Sequence, residues 1–345
     1  MRLLLALGVI GCHTIDTSYA FDAHQQALAA TWRPLVASIL PMFFALSGFL
    51  VAGSLERCRT LFSFIGLRVL RIMPALVGEV LLSAFILGPM FTVFSLRAYF
   101  RDHAFIAYFL NILGDIHYRL PGVFLDNPSP AIVNGQLWTV PYELGCYVLL
   151  TIIAVIGIVR KRNWLLLFML GLYALQAFKV VYDLHAVAEE KTLYGAISGR
   201  TLIMVFIAGL ALYRCRTQIP LTRSLFVASI VLSATLFCLP PHGERFVALP
   251  VAYLTVYFGL MNPARTRLIG GDYSYGLFLY GYPLQQAVAS LGPGFHHWYW
   301  NLAGALPCAA LCAYLSWRFI EKPALALRVP LRALESTYLR RSVIA

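Results

Sequence analysis

Charge is what this chain has least of, and negative charge least of all. Asp and Glu number 15 against 27 Lys and Arg, and charged residues make only 12% of the 345 positions. Soluble domains carry about 25% charged residues, so an ordinary water-facing surface is excluded. Nucleotide and cofactor signatures are missing as well: the sequence has no P-loop and no dinucleotide fingerprint. Ser47 lies in "FFALSGFLV" rather than in a G-x-S-x-G elbow, and His296 and His297 are adjacent instead of one helical turn apart. Metal-dependent hydrolysis and cofactor-dependent redox chemistry drop out, and neither a bound cofactor nor a metal site is expected. No internal repeat is visible, which argues against the inverted halves of many transporters. Of the seven cysteines, Cys12, Cys146, Cys238, Cys308 and Cys312 fall in apolar stretches and Cys58 and Cys215 in basic ones. That usage implies no disulfide framework.

What the chain does have is long apolar runs. Hydrophobic residues make 60% of it and the mean hydropathy is +0.75, the composition of a polytopic membrane protein. Ten stretches of spanning character are expected, near residues 2–19, 35–54, 72–94, 137–159, 163–182, 199–213, 224–240, 246–261, 274–291 and 298–317, which gives an all-α membrane fold. The connections alternate in charge. Arg2, the stretches 56–71, 160–162, 214–223 and 264–267 and the tail from Arg318 hold 19 of the 27 Lys and Arg. The intervening connections hold Asp16, Asp22, Asp102, Asp115, Asp126, Asp183, Glu189, Glu190 and Glu244. Cytoplasmic loops collect basic residues, so both termini are expected in the cytoplasm. The formal charge of +12 then reflects membrane topology, and nucleic acid is not an expected partner.

The first stretch is thin, because Leu3 to Ile15 supplies about 20 Å of helix against a hydrocarbon core of about 30 Å. Either it continues through Asp16 to Tyr19 inside protein, or the true start lies upstream. "GCHTID" lacks a small-x-small cleavage site, so the segment is expected to be retained. The single long connection, 95–136, is rich in Pro, Gly and Asn and in aromatic and aliphatic side chains, which predicts ordered turns rather than disorder.

Ionisable side chains inside spans are expensive and therefore candidates for function. His13, Glu79, Glu143 and Lys179 qualify, and Lys179 is near enough to a span end to snorkel. His13 follows Arg2 by eleven positions, which places them on one helix face about 16 Å apart. Asp16 and Thr17 are neighbours of His13 on that face. A carboxylate there can fix an imidazole tautomer and make a general base; a packed histidine bonded to a backbone carbonyl would satisfy the residue alone. Arg68 and Arg71, with Arg57 and Arg59 upstream, suit a phosphate-rich ligand or ordinary anchoring at the cytoplasmic face. Trp138, Tyr142 and Glu143 in "LWTVPYELGCY" form an aromatic-lined carboxylate of the kind that suits a sugar, or an interfacial aromatic belt.

Taken in order, "RLLLALGVIGCH", "PMFFALSGFLVAGSL", "FIGLRVLRIMPAL", "NGQLWTVPYELGCYVL", "YSYGLFLYGYPLQQ" and "WRFIEKPAL" resemble the integral-membrane acyltransferase family 3. Its members O-acylate sugars and cell-surface glycans. In the family the signature arginine follows a short cytoplasmic segment; here only Met1 precedes it. The resemblance implies a single membrane domain over 1–325 with a basic cytoplasmic tail over 326–345, in the cytoplasmic (inner) membrane. It implies transfer of an acyl group, usually acetyl, from acyl-CoA as donor substrate to a carbohydrate hydroxyl. Arg2 and His13 match the family's essential pair, Arg68 and Arg71 its arginines before the third span, and Glu143 the acidic residue of its Trp-containing motif. Donor contacts are then expected from Arg57, Arg68 and Arg71, acceptor contacts from Trp138 and Tyr142, and chemistry from His13 with Arg2, Asp16 and Glu143. A transporter or flippase for a lipid-linked glycan is the alternative, using the same polar residues without covalent chemistry.

Overall fold

The computed structural model describes residues 1–29, 31–183, 197–239, 242–261 and 271–344. The basic connection at 264–267, and Glu189 and Glu190, lie outside the described residues. The chain is all-α, and each of the ten apolar stretches is helical: α1 Arg2–Ala29, α2 Arg33–Arg57, α3 Leu61–Leu82, α4 Val140–Val155, α5 Arg162–Asp183, α6 Gly199–Arg214, α7 Arg223–Phe237, α8 Ala248–Leu260, α9 Ser274–Ala289 and α10 Trp298–Ser316. Among the described residues six helical stretches are long and apolar enough to cross a membrane: Arg2–Ala20, Arg33–Arg57, Leu61–Phe91, Gly135–Val155, Arg162–Val181 and Trp298–Ser336. This is the pattern of a multi-pass membrane protein. Helices α7 and α8 are shorter, and α8, at 13 residues, rises about 20 Å.

Helix α1 leaves helical dihedrals at Ala20 (φ 71°, ψ 171°). Its apolar part therefore continues through Asp16 to Tyr19, and Thr14, Asp16, Thr17 and Ser18 are buried in protein. That length, 19 residues to Ala20, corresponds to about 28 Å.

The expectation of a loop over 56–71 needs correction, because only 58–60 are non-helical. The Thr60 hydroxyl accepts from the Ser63 amide at 3.2 Å and caps α3. The Glu335 carboxylate accepts from the Thr60 amide (2.6 Å), the Thr60 hydroxyl (2.9 Å) and the Arg59 amide (3.0 Å), which meets the open donors at that helix start. Arg68 and Arg71 thus sit on a helix. Glu335 belongs to α11, Arg328–Ile344; the basic segment after residue 325 is helical and docks on α3, with Leu331 against Gly66.

Two compact units divide the chain. The first comprises Met1, Ala27–Arg57 and Tyr142–Thr266. Here α2 and α6 approach closely enough that a side chain at Gly48 would collide with the Phe206 carbonyl, and one at Gly209 with the Ala45 carbonyl. Small residues that let backbones touch are how apolar helices associate without a hydrophobic driving force. Arg33 donates to Glu244 at 2.7 Å and to the Phe237 carbonyl at 2.9 Å. The second unit comprises Arg2–Gln26, Cys58–Pro141 and Arg267–Ala345. Its helix α3 continues through a π turn, Ser83–Leu87, and Gly88–Phe91. In the same unit α9 lies against α10 with Gly276 on Ala313, and against α1 with Gly281 on Ile10.

The close approach of α2 and α6 yields a direct test. Gly48→Ala is expected to lower the thermal midpoint of the detergent-purified protein, by overpacking on the order of 1–3 kcal/mol. An unchanged midpoint would contradict the closeness of that crossing.

Candidate active site

Four charged side chains from four places in the second unit converge. Arg2, the first residue of α1, donates to Asp272 Oδ2 at 3.0 Å, and Arg71 of α3 donates to the same oxygen at 2.5 Å. Asp272 immediately precedes α9, and its other oxygen accepts from the Ser274 hydroxyl. Arg71 also reaches Glu321 at 3.7 Å. Glu321 closes the π turn Trp317–Glu321 and accepts from Ser316 at 3.2 Å. Burial opposes the charge on Asp272, but Arg71 and Arg2 outweigh it and hold the carboxyl below its ordinary value of 3.8. Two arginines that the sequence marks separately are therefore gathered on one carboxylate. Each guanidinium has five N–H donors, so donors remain for an anionic ligand.

Three turns along α1 from Arg2 is His13, half-buried. Its ring meets that of Tyr282 edge-on, with centroids 5.2 Å apart and planes at 80°. The Tyr282 hydroxyl donates to Asp16 Oδ2 at 2.8 Å, and Ser129 donates to Asp16 Oδ1 at 3.1 Å. The expected grouping of His13 with Asp16 is thus tied together by Tyr282 of α9. The Thr17 hydroxyl donates to the His13 carbonyl. One turn earlier on α1, the Gln285 amide donates to Thr14 and to the Ile10 carbonyl.

The long connection is pinned onto this core. Gln286 donates to the carbonyls of Ser129 and Ile132, both at 2.7 Å, and accepts from Asn127 at 2.8 Å. Phe124 (φ 56°) precedes that stretch and Ala131 (φ 59°) lies within it, both in the left-handed region. Non-glycine residues there carry strain of about 1–2 kcal/mol each, which the Gln286 clamp holds in place. Further on, the Glu79 carboxylate accepts from Asn134 and Ser83, each at 2.7 Å. All three are fully buried, so Glu79 fixes the start of "NGQLW" from below.

The remaining sequence candidates are placed as follows. Arg68 is half-buried on α3, its guanidinium 5.9 Å from the Phe64 ring, and Arg57 ends α2, exposed, in the first unit. Trp138 is half-buried in the second unit. Tyr142 and Glu143 belong to the first unit. There the Tyr147 hydroxyl donates to Glu143 at 2.7 Å and lies 3.4 Å from Ser47, and the Tyr142 ring fills the space above Gly199. Lys179 is half-buried four residues before the end of α5.

Sequence reasoning did not find Asp272, Glu321, Tyr282 or Ser129. A signal existed for two of them: Asp272 stands directly before "YSYG" and Glu321 within "WRFIEKP", acidic residues among basic ones. Among the described residues no group of three His, Cys, Asp or Glu side chains could hold a metal ion.

Comparison with known proteins gives one family and two relatives. Residues 1–318 match the family profile described as an acyltransferase domain. An O-acetyl transferase of Shigella phage Sf6 is 24% identical, with 97% of each chain covered. Nodulation protein 10 of Rhizobium leguminosarum bv. viciae is 25% identical over 96% of this chain and 94% of its own length. No solved structure matches.

The depressed Asp272 carboxyl makes stability pH-dependent in a defined direction. Its contribution is complete above the unfolded value near 3.8 and is lost as pH falls through the lower folded value. Asp272→Asn should therefore melt below the wild type at neutral pH, and the gap between the two should begin to close once the pH falls below 3.8. A wild type that melts no higher than Asp272→Asn at neutral pH would contradict the ion pairing. Thermal midpoints in detergent across that pH range provide the comparison.

Proposed function

This chain belongs to acyltransferase family 3, and from that premise we propose that it moves an acetyl group from cytoplasmic acetyl-CoA to a hydroxyl of a cell-surface or extracellular carbohydrate. The observation that carries the reading is the meeting of Arg2 and Arg71 on Asp272 in the same unit as His13, with Arg2 on the same helix α1. A relative named O-acetyl transferase supports acetyl as the group moved. The basic connections support a cytoplasmic position for both termini, and the ten helices support ten passes, the shorter ones tilting little or lying within protein.

Each part then has a task. Arg2, Arg68 and Arg71 of the second unit hold the phosphates of CoA by charge-assisted bonds, and Arg57 is proposed as a donor contact on the strength of its sequence alone. The pantetheine arm runs along α1, whose span from Arg2 to His13 is about 16 Å, and brings the thioester to the imidazole. His13 takes the proton of the acceptor hydroxyl as its oxygen attacks the thioester carbonyl. When the C–S bond breaks, the imidazolium returns that proton to the departing thiolate. In the covalent variant the imidazole nitrogen attacks first, CoA leaves as the thiol, and the hydroxyl then attacks the acyl-imidazole. Asp16 steadies the imidazolium electrostatically. Trp138 offers an aromatic face to a sugar ring, and Tyr142 and Glu143 are proposed as acceptor contacts on the strength of their motif.

The test uses membrane vesicles containing wild type or His13→Ala, isotope-labelled acetyl-CoA, and mass spectrometry of the glycan fractions. Label on a sugar, reduced at least about 1,000-fold in the variant, is the expected result for loss of a base or nucleophile. Equal labelling by the two proteins would refute the role of His13. Glycan translocation without any labelled product would support the transport alternative.

A further inference from the structure

Tyr282 is fully buried, with 1% of its surface exposed, and it is held at three points. Its hydroxyl is bonded to Asp16, its ring meets that of His13 near perpendicular, and its Cζ, Cε2 and hydroxyl end lie against Gly135. A Cβ added at Gly135 would stand 2.6 Å from Tyr282 Cζ, 2.7 Å from Cε2 and 3.0 Å from the hydroxyl oxygen. Gly135 is not among the residues with positive φ, so its backbone conformation is open to any residue. What the position requires is the absence of a side chain, and the ring of Tyr282 is the reason.

We propose that Tyr282 is the positioning residue for His13, and that Gly135 is glycine because it gives the tyrosine ring its place. The proposal rests on the reading of His13 as the reacting group. His13 sits on α1, Tyr282 on α9, and Gly135 at the start of the 3-10 turn Gly135–Thr139 that carries Trp138. The ring therefore joins the segment bearing the proposed acceptor contact to the imidazole. A half-buried histidine on a single helix has several rotamers open to it. An aromatic ring with its centroid 5.2 Å from that of the imidazole, itself held beside glycine and bonded to Asp16 at its tip, selects one of them. The ring meets the imidazole directly, and the proposal assigns the positioning to it.

Four variants separate the possibilities: His13→Ala, Tyr282→Phe, Tyr282→Leu and Gly135→Ala. Each is purified in detergent, checked for monodispersity, and assayed for kcat and for the KM of acetyl-CoA, with rates referred to the protein able to bind acetyl-CoA. Displacement of a reacting group by about 1 Å can cost about 100-fold. Tyr282→Leu is accordingly expected to lose at least that in kcat with the donor KM within about twofold, and Gly135→Ala to lose about tenfold or more. Tyr282→Phe keeps the ring and is expected within about fivefold of wild type, a rescue that general loss of structure would not give. Wild-type kcat in Tyr282→Leu, beside an inactive His13→Ala, overturns the positioning role alone. Equal losses in Tyr282→Phe and Tyr282→Leu overturn it too, since the hydroxyl bond to Asp16 would then be the operative contact. A fully active His13→Ala removes the premise and the proposal together.

Discussion

One carboxylate organises the basic side of the second unit. Asp272 draws Arg2 of α1 and Arg71 of α3 onto a single oxygen, and without it two guanidinium groups would face one another across a low-dielectric helix boundary. Like charges held close destabilise by the same Coulomb law that makes the triad favourable. The shortage of acidic residues sharpens the point. Six of the 15, Glu56, Glu79, Glu143, Asp272, Glu321 and Glu335, fall outside the acid-rich connections, and each has a defined partner. Glu56 accepts from Tyr213 and Arg216, Glu143 from Tyr147, Glu79 from Ser83 and Asn134, and Glu335 from the start of α3. Asp272 and Glu321 go to the arginines. Where lipid makes an unpaired charge costly, an acid is retained only where it has a bond to make.

Two neutral polar side chains of the second unit act in a comparable way. Gln285 and Gln286, adjacent in "YPLQQ" and fully buried, direct their amide N–H groups to α1 and to the long connection. Those bonds matter because an unmet donor in a nonpolar setting costs several kcal/mol. The effect is to fix the segment 127–139 and the His13 stretch of α1 to one helix, α9. Referencing the proposed reacting histidine and the proposed acceptor segment to a common rigid element is what group transfer requires, since reacting atoms must be brought within about 3–3.5 Å.

Helices were legible because hydropathy over windows of about 20 residues is a strong signal, and all ten stretches are helical. The Arg2 and His13 face and the neighbouring Asp16 were legible because helical periodicity is local. The loop over 56–71 was misjudged because basic content was taken as the sign of a loop, whereas Thr60 and Glu335 start α3 at Leu61. Asp272 and Glu321 escaped notice for a different reason. Their partners lie 270 and 201 residues away for Asp272, distances that no periodicity reports. Tyr282 resembled one more apolar aromatic, and its role became visible only through the space that Gly135 leaves. The motif "LWTVPYE" reads as one surface in sequence, yet the boundary between the two units falls between Pro141 and Tyr142.

The account stands on the arginine pair as the seat of the donor and on His13 as the group that acts on it, two roles that equilibrium binding separates. Acetyl-CoA binding to the purified wild type, Arg71→Ala and His13→Ala proteins, measured by calorimetry at fixed salt, is the most direct measurement. The account predicts at least about tenfold weaker binding by Arg71→Ala, the loss of one charge-assisted contact of about 1.4 kcal/mol or more. His13→Ala should bind as the wild type does. Undiminished binding by Arg71→Ala would contradict the account, because the cluster around Asp272 would then be structural and the donor would have to sit elsewhere.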